Sequence, residues 1–246
     1  MNGLTSFTDS ANVAVIGASG GIGNAFCDAL AEDPAVGKVF AFSRRTLERD
    51  GNGLTWQPID IEDENTIERA ADSVGETPLD LVLVLTGILH EGELRPERRM
   101  SELAPDSIAR VFAINTIGPT LVAKHFLPKL RRDAKTVFAA LSARVGSIGD
   151  NRLGGWASYR ASKAALNQFV RTLSIEHARR RPKSVVVSLH PGTVRTSLSE
   201  PFTARTPAEK LFTPEQSAGY LLEVIDRLGP DDTGGFFAWD GTRIEY

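Results

Sequence analysis

The 246-residue sequence predicts a single α/β domain, a doubly wound parallel sheet of seven strands with helices on both faces. Three observations lead there. Short apolar runs rich in β-branched residues recur along the chain, stretches with helical apolar spacing separate them, and a glycine-rich turn joins the first run to the first helix. Runs that are apolar at every position read as strands buried on both faces, which is what a parallel sheet covered by helices requires.

The first strand is Val13 to Ile16, and Ile22, Phe26 and Leu30 then recur one helical turn apart to give the first helix. Val39 to Phe42, Leu54 to Ile59 and Leu81 to Leu85 are the second, third and fourth strands. Ile108, Val111, Asn115, Gly118 and Val122 share one face of a long helix that precedes the fifth strand, Val137 to Leu141. Leu166, Phe169 and Leu173 share a face of the next helix, whose first turns hold Tyr159 and Lys163; Val185 to Leu189 and a short Phe236 to Trp239 complete the sheet.

Composition narrows the function classes. With 41% apolar and 24% charged residues the chain is an ordinary globular protein, and no repeat or linker divides residues 1–246. A net charge of −3 gives no general attraction to nucleic acid or an anionic membrane. The basic run Arg179, Arg180, Arg181 and Lys183 closes a helix, where cations complement the dipole. The lone cysteine, Cys27, precludes an intrachain disulfide, reads as buried filler and favours a reducing compartment. No stretch approaches the ~18 uninterrupted apolar residues of a membrane span, and the N-terminus lacks the basic start and apolar core of a signal peptide. A cytoplasmic protein is expected, with no nucleic-acid or membrane partner and no metal ligands.

Ligands of doubly wound folds bind beyond the carboxyl ends of the strands, so the residues that follow each strand matter most. After the first come Gly17, Ser19, Gly20, Gly21, Ile22 and Gly23, with four glycines in seven residues. Glycines here permit a tight turn and let backbone N–H groups approach a pyrophosphate at the positive end of a helix. After the second strand stand Ser43, Arg44 and Arg45, at the place where an NAD-binding protein usually offers an acid to the ribose. Arginine there pairs instead with a 2′-phosphate, which predicts NADP(H), with Arg44 the first candidate. After the third, Asp60 and Ile61 suit either an adenine amino group or the start of the next helix. Thr86 and Gly87 follow the fourth. After the sixth, Pro191 and Gly192 break the strand, and the backbone of Val194 and the hydroxyl of Thr196 are placed to reach a nicotinamide carboxamide.

Tyr159 and Lys163, one helical turn apart, are by themselves a common surface pair. Taken with the glycine turn, Asp60-Ile61, the asparagine of "INTIG" and Pro191-Gly192 with Thr196, they make residues 11–241 resemble the short-chain dehydrogenase/reductase family. The stretch "SARVGSIGDNRLGGWASYRASKAALNQ" and the closing "FFAWDGTRIEY" look most like the C-factor subgroup, and more distantly like sniffer-type carbonyl reductases. The resemblance implies that Tyr159 gives a proton to a carbonyl oxygen or takes one from an alcohol. It implies that Lys163 lowers the phenol pKa and holds the nicotinamide ribose, and that Asn115 holds a water linking Lys163 to solvent. A homodimer or homotetramer is implied too, with Ile117, Leu121 and Phe126 on one helix and Leu166 and Phe169 on the next as candidate interface residues.

Three departures stand out. Val84-Leu85-Thr86-Gly87 replaces the family's usual Asn-Asn-Ala-Gly, and Ile16 replaces a threonine before the first glycine. The substrate-binding serine usually lies three residues before a glycine, where this chain has Ala143; Ser142, Ser147 or no serine then remain open. The long polar segment 195–216 reads as a lid over the substrate, and Leu89, His90, Leu153, Trp156 and Leu198 are candidate pocket walls. Two functions follow: an NADP(H)-dependent carbonyl reductase or alcohol dehydrogenase acting on a small or medium apolar substrate, or a non-catalytic NADP(H)-binding regulatory or signalling protein.

Overall fold

The computed structural model describes residues 3–45, 53–204 and 206–246. Seven strands form one parallel sheet: β1 (Ala11–Ile16), β2 (Val36–Ser43), β3 (Leu54–Pro58), β4 (Leu81–Val84), β5 (Thr136–Leu141), β6 (Ser184–His190) and, last in the chain, β9 (Phe236–Ala238). They lie in the order β3-β2-β1-β4-β5-β6-β9, every neighbouring pair parallel. The order therefore reverses between β1 and β4, which opens the crevice where such folds take ligands. Two short strands, β7 (Thr193–Val194) and β8 (Leu211–Phe212), pair separately, the first just before and the second within the segment expected to be a lid.

Alternation along each strand builds two cores. Val13, Val15, Leu81, Leu83, Val185 and Val187 meet Phe26 and Leu30 of α1 (Gly21–Ala31) and Leu221 and Ile225 of α6 (Pro214–Arg227). Ala14, Ile16, Phe42, Val82, Phe138 and Val186 face the other way. There they meet Ile67 of α2 (Glu64–Ser73), Phe126 of α4 (Gly118–Phe126), and Leu166 and Val170 of α5 (Ala157–Ala178). Cys27 is buried in the first core. Among the described residues no helix is long and apolar enough to cross a membrane.

Two details differ from the sequence reading. The long helix is α3 (Pro105–Phe112) and α4 joined by a π-helical turn, Ala113–Ile117. That turn rotates three successive side chains, Ile114, Asn115 and Thr116, into the interior, more than an α-helical stripe allows. Phe126 and Leu166, expected on an outer face, are instead in the core, because apolar periodicity marks a face without saying which neighbour covers it. Ile117 and Phe169, 53% and 45% exposed, do stay on the surface.

Candidate active site

The glycine turn sits at the reversal point. Gly17 has φ +93°, and its N–H and that of Ala18 both donate to the carbonyl of Phe42 at 2.9 and 3.0 Å. A β-carbon on Gly23 would lie 2.1 Å from the carbonyl oxygen of Gly17, so glycine alone lets α1 start this close to the strand. Gly20 caps α1 without a side chain, and the first-turn N–H groups of Gly21, Ile22 and Gly23 have no intrahelical acceptor. This is a cradle for an anion.

A cleft of about 290 Å³ joins this turn, Ser19 included, to Arg44, Arg45, Asp60, Ile61, Thr86 and Gly87. A second, of about 470 Å³, shares Arg44 and Asp60 with it and has Arg69 of α2 on its wall. Ser43 is committed locally: its hydroxyl donates to the carbonyl of Arg45 at 2.5 Å and accepts from Trp56 Nε1 at 2.9 Å. It shapes the turn and leaves the exposed guanidiniums of Arg44 and Arg45 to meet a ligand. Asp63, not Asp60, caps α2. Asp60 accepts the N–H of Glu62 at 3.1 Å and keeps its carboxylate on the cleft wall.

Across the crevice, Tyr159 and Lys163 leave the first turns of α5 and are buried. Lys163 Nζ donates to the carbonyl of Leu141, the last residue of β5, at 2.9 Å and lies 6.0 Å from the Tyr159 ring centroid. Ser142 is therefore next to the ammonium along the chain. It is 4% exposed, and among the described residues its Oγ has no hydrogen-bond partner. Ser147 differs, since its hydroxyl accepts the N–H of Asp150 at 3.1 Å. Thr86 Oγ1, at the cleft, is likewise buried and unpartnered. Buried hydroxyls are normally satisfied, so both have hydrogen-bonding capacity left over.

Asn115, carried inward by the π turn, accepts from the N–H of Ile88 at 2.8 Å and donates to the Ile88 carbonyl at 2.8 Å and to Ser162 Oγ at 3.2 Å. Both amide donors are thus used in tying the loop after β4 to α5. The second lone pair of its oxygen is what remains for a water.

At the end of β6, Pro191 and Gly192 turn the chain so that Thr196 packs against the glycine turn: a β-carbon on Gly21 would be 3.0 Å from Thr196 Cγ2. Its N–H meets Ser199 Oγ at 3.2 Å, and Val194 is buried in β7. Above Tyr159 the Trp156 ring lies edge to face at 6.3 Å, Phe202 follows at 5.2 Å, and His90 closes the row at 5.7 Å from Phe202. His90 Nε2 also reaches the carbonyl of Ser197 at 3.1 Å. Leu153 is 92% exposed, which corrects its assignment to a pocket wall. Of the expected lid, Arg205 lies outside the described residues.

Burial governs the charges. It holds the Tyr159 phenol up at about 12, against the lowering that the resemblance implies, and the Lys163 ammonium down at about 8, so near neutral pH the phenol keeps its proton and the ammonium its charge. Between about pH 8 and its ordinary 10.5, Lys163 is protonated in the unfolded chain but not in the folded one, so its contribution to stability rises with pH. Tyr159 acts in the opposite sense above pH 10. Wild-type stability relative to Lys163→Met is expected to improve by ~1–3 kcal/mol from pH 8 to pH 10. Urea denaturation at the two pH values measures it, and an unchanged difference would mean that Lys163 is not desolvated.

The chain as a whole is similar to known proteins. The family model for short chain dehydrogenases matches residues 11–206. The chain belongs to the short chain dehydrogenase family. A relative, the 1-hydroxy-2-glutathionyl-2-methyl-3-butene dehydrogenase of Rhodococcus sp. (strain AD45), is 35% identical over 198 residues, 79% of this chain and 81% of that one. C-signal of Myxococcus xanthus is 41% identical over 140 residues, 56% of this chain and 78% of that one, in keeping with the C-factor resemblance. Among solved structures, the NADPH-bound carbonyl reductase from chicken fatty liver superposes with a TM-score of 0.83 at 27% identity, covering 99% of this chain and 97% of that one.

In this short chain dehydrogenase the glycine turn, Arg44, Asp60, Thr86 and Gly87 share one cleft, and Lys163, beside the Tyr159 ring, is held at the end of β5 by the carbonyl of Leu141, the residue before Ser142. Three residues escaped the sequence reading. Arg69 looks like any exposed helix arginine, and Phe202 lies in a polar, proline-punctuated segment. Glu97, buried against the start of α5, sits in the run "RPERRM", which reads as a solvated charged stretch.

Proposed function

We propose that this chain is an NADP(H)-dependent oxidoreductase acting on the carbonyl or alcohol group of a small or medium apolar substrate, with Tyr159 as proton donor or acceptor. The observation that carries the reading is a buried tyrosine with a buried lysine 6.0 Å from its ring, the lysine held by the carbonyl of Leu141, next in the chain to Ser142. The chicken carbonyl reductase, superposable over nearly the whole chain, supports the same reaction type.

The residues present fit the cofactor. The side-chain-free start of α1 suits a pyrophosphate, Arg44 a 2′-phosphate, and the unpartnered Thr86 hydroxyl a polar group in the cleft. NADPH, when bound, supplies the hydride. The protein does the rest. Tyr159 holds its proton near neutral pH and delivers it from the phenol oxygen to the substrate oxygen. Lys163, fixed by the Leu141 carbonyl, places positive charge behind the ring and favours the phenolate that results. The first turn of α5 adds its dipole in the same sense. Ser142 Oγ offers the substrate oxygen a second donor. Trp156 and Phe202 present apolar surface above the tyrosine, and segment 195–216 is the lid that excludes water.

The test is NADPH oxidation across a panel of ketones, aldehydes and quinones. Turnover of at least one class is expected. Tight NADPH binding without turnover of any would favour a regulatory or signalling role. Cofactor choice has its own test: Arg44→Ala is expected to weaken NADPH binding about 10- to 100-fold, the loss of one charge-assisted contact, and to leave NADH nearly unchanged. Adding Ser43→Asp should reverse the preference. Unchanged NADPH affinity on titration would remove Arg44 from the site.

A further inference from the structure

The catalytic helix starts without a cap of its own. Its N-cap position is Trp156, a non-glycine residue at φ 54° with no side-chain acceptor, and the two residues before it, Gly154 and Gly155, are also left-handed at φ 63° and 67°. Three successive left-handed residues, one of them a tryptophan, are not a conformation the backbone keeps unaided. Two side chains hold it. Arg160 reaches back to the carbonyls of Gly155 at 2.9 Å and of Gly154 and Val145 at 3.2 Å. From the opposite side, and from a different part of the chain, comes Glu97. It lies in the loop between β4 and α3 and is only 5% exposed.

Every polar group of Glu97 that the turn can use is engaged. Its carbonyl accepts the N–H of Trp156 at 2.5 Å, its Oε2 accepts the N–H of Ser158 at 3.2 Å, and its Oε1 accepts the Ser158 hydroxyl. Ser158 is the second residue of α5, so its N–H is one of those the helix leaves without an intrahelical acceptor. A carboxylate there is doubly placed, satisfying an orphan donor and meeting the positive end of the helix. The residue that follows Ser158 is Tyr159, and the ring fixed by the left-handed turn, Trp156, lies against Tyr159 on one side and Phe202 on the other.

We propose that Glu97 is a positioning residue, a cap supplied from the loop after β4 that locks the left-handed turn and so sets both the Tyr159 phenol and the Trp156 wall of the substrate site. This rests on Tyr159 being the proton donor. The glutamate itself touches neither substrate nor cofactor. Its effect on the reaction passes through the aim of Tyr159, where a displacement of an ångström is felt strongly.

The test compares Glu97→Ala, Glu97→Gln and the milder Ser158→Ala with wild type, by hydrogen exchange at the amides of residues 154–160 and by steady-state kinetics on the best carbonyl found. In Glu97→Ala the Trp156 and Ser158 amides should exchange about ten-fold faster, as loss of a cap allows. Its kcat should fall about 10- to 100-fold while KM for NADPH stays within about two-fold, since Glu97 bonds to Trp156 and Ser158 rather than to the glycine turn. Glu97→Gln, which keeps an acceptor, should recover most of both, and Ser158→Ala should fall between. Glu97→Ala with wild-type exchange and kcat would overturn the proposal, as would a glutamine variant as impaired as alanine with exchange unaltered. If no carbonyl is turned over by wild type, the exchange arm still decides whether Glu97 is the cap, so failure of the function and failure of the cap are read separately.

Discussion

Replacing Tyr159 by phenylalanine is expected to abolish turnover, lowering kcat by about 10²- to 10⁴-fold, the range general acid catalysis supplies, while NADPH affinity changes little. The change removes one oxygen from a ring whose packing is otherwise kept: Trp156 lies edge to face against it and the Lys163 ammonium 6.0 Å from its centroid. Because burial holds the phenol up at about 12, it carries its proton throughout the neutral range and nothing else on the first turns of α5 can replace it. Ser158, its neighbour, already gives its hydroxyl hydrogen to Glu97. Lys163→Ala should differ in kind, impairing both turnover and NADPH binding, since the proposed role of the ammonium is to serve the phenol and the ribose together. Stopped-flow turnover with fluorescence titration of NADPH separates the two. Near-full activity of Tyr159→Phe on the best substrate would remove the phenol from proton transfer.

The second large effect is expected at Ser142. Ser142→Ala should lower kcat by about 10²- to 10³-fold, the usual loss of one donor to a developing oxyanion, with KM for NADPH unchanged. In the sequence the position is ambiguous, for the family pattern points to Ala143, and in a regular strand a shift of one residue turns a side chain to the opposite face. The Ser142 N–H still pairs with the Leu189 carbonyl of β6 at 2.8 Å and Ala143 is extended, so the two side chains keep opposite faces; what favours Ser142 is that its hydroxyl is buried without a partner among the described residues. Ser147, whose hydroxyl accepts the N–H of Asp150, has a structural task already. Ser147→Ala should therefore cost stability more than rate. Undiminished kcat in Ser142→Ala, measured with saturating substrate, would exclude the serine from the site.

Most of the fold was legible because the central strands β4 and β5 and the inner parts of β1, β2 and β6 are runs of buried, mostly apolar residues separated by stretches of helical spacing, as a sheet covered on both faces requires. Tyr159 and Lys163 were legible as a pair because four-residue spacing and a helical context are local properties. The rest depends on contacts distant in sequence. Glu97 meets Ser158 across 61 residues, and Ser43 is claimed by Trp56 across 13, so neither role can be read from neighbours. The π turn at Ala113–Ile117 has no composition of its own; it is stabilised by what it buries, Asn115 above all, against the Ile88 backbone. Phe126 and Leu166 were placed on an outer face for a related reason. Their periodicity is right, but the second core, with Phe42 and Val186, covers them. Trp156 is the extreme case, a left-handed residue that no local preference predicts.

The central claim is that hydride leaves NADPH for a carbonyl carbon while Tyr159 protonates the oxygen. The most direct measurement incubates wild type and Tyr159→Phe with NADPH deuterated at both C4 positions and the ketones and aldehydes of the panel, whose alcohol products keep a transferred deuterium on carbon, then reads the products by mass spectrometry. The account predicts an alcohol with one deuterium on the former carbonyl carbon from wild type and almost none from Tyr159→Phe. Wild-type protein that binds the deuterated cofactor tightly yet transfers deuterium to no member of the panel would contradict it, as would equal transfer by the phenylalanine variant.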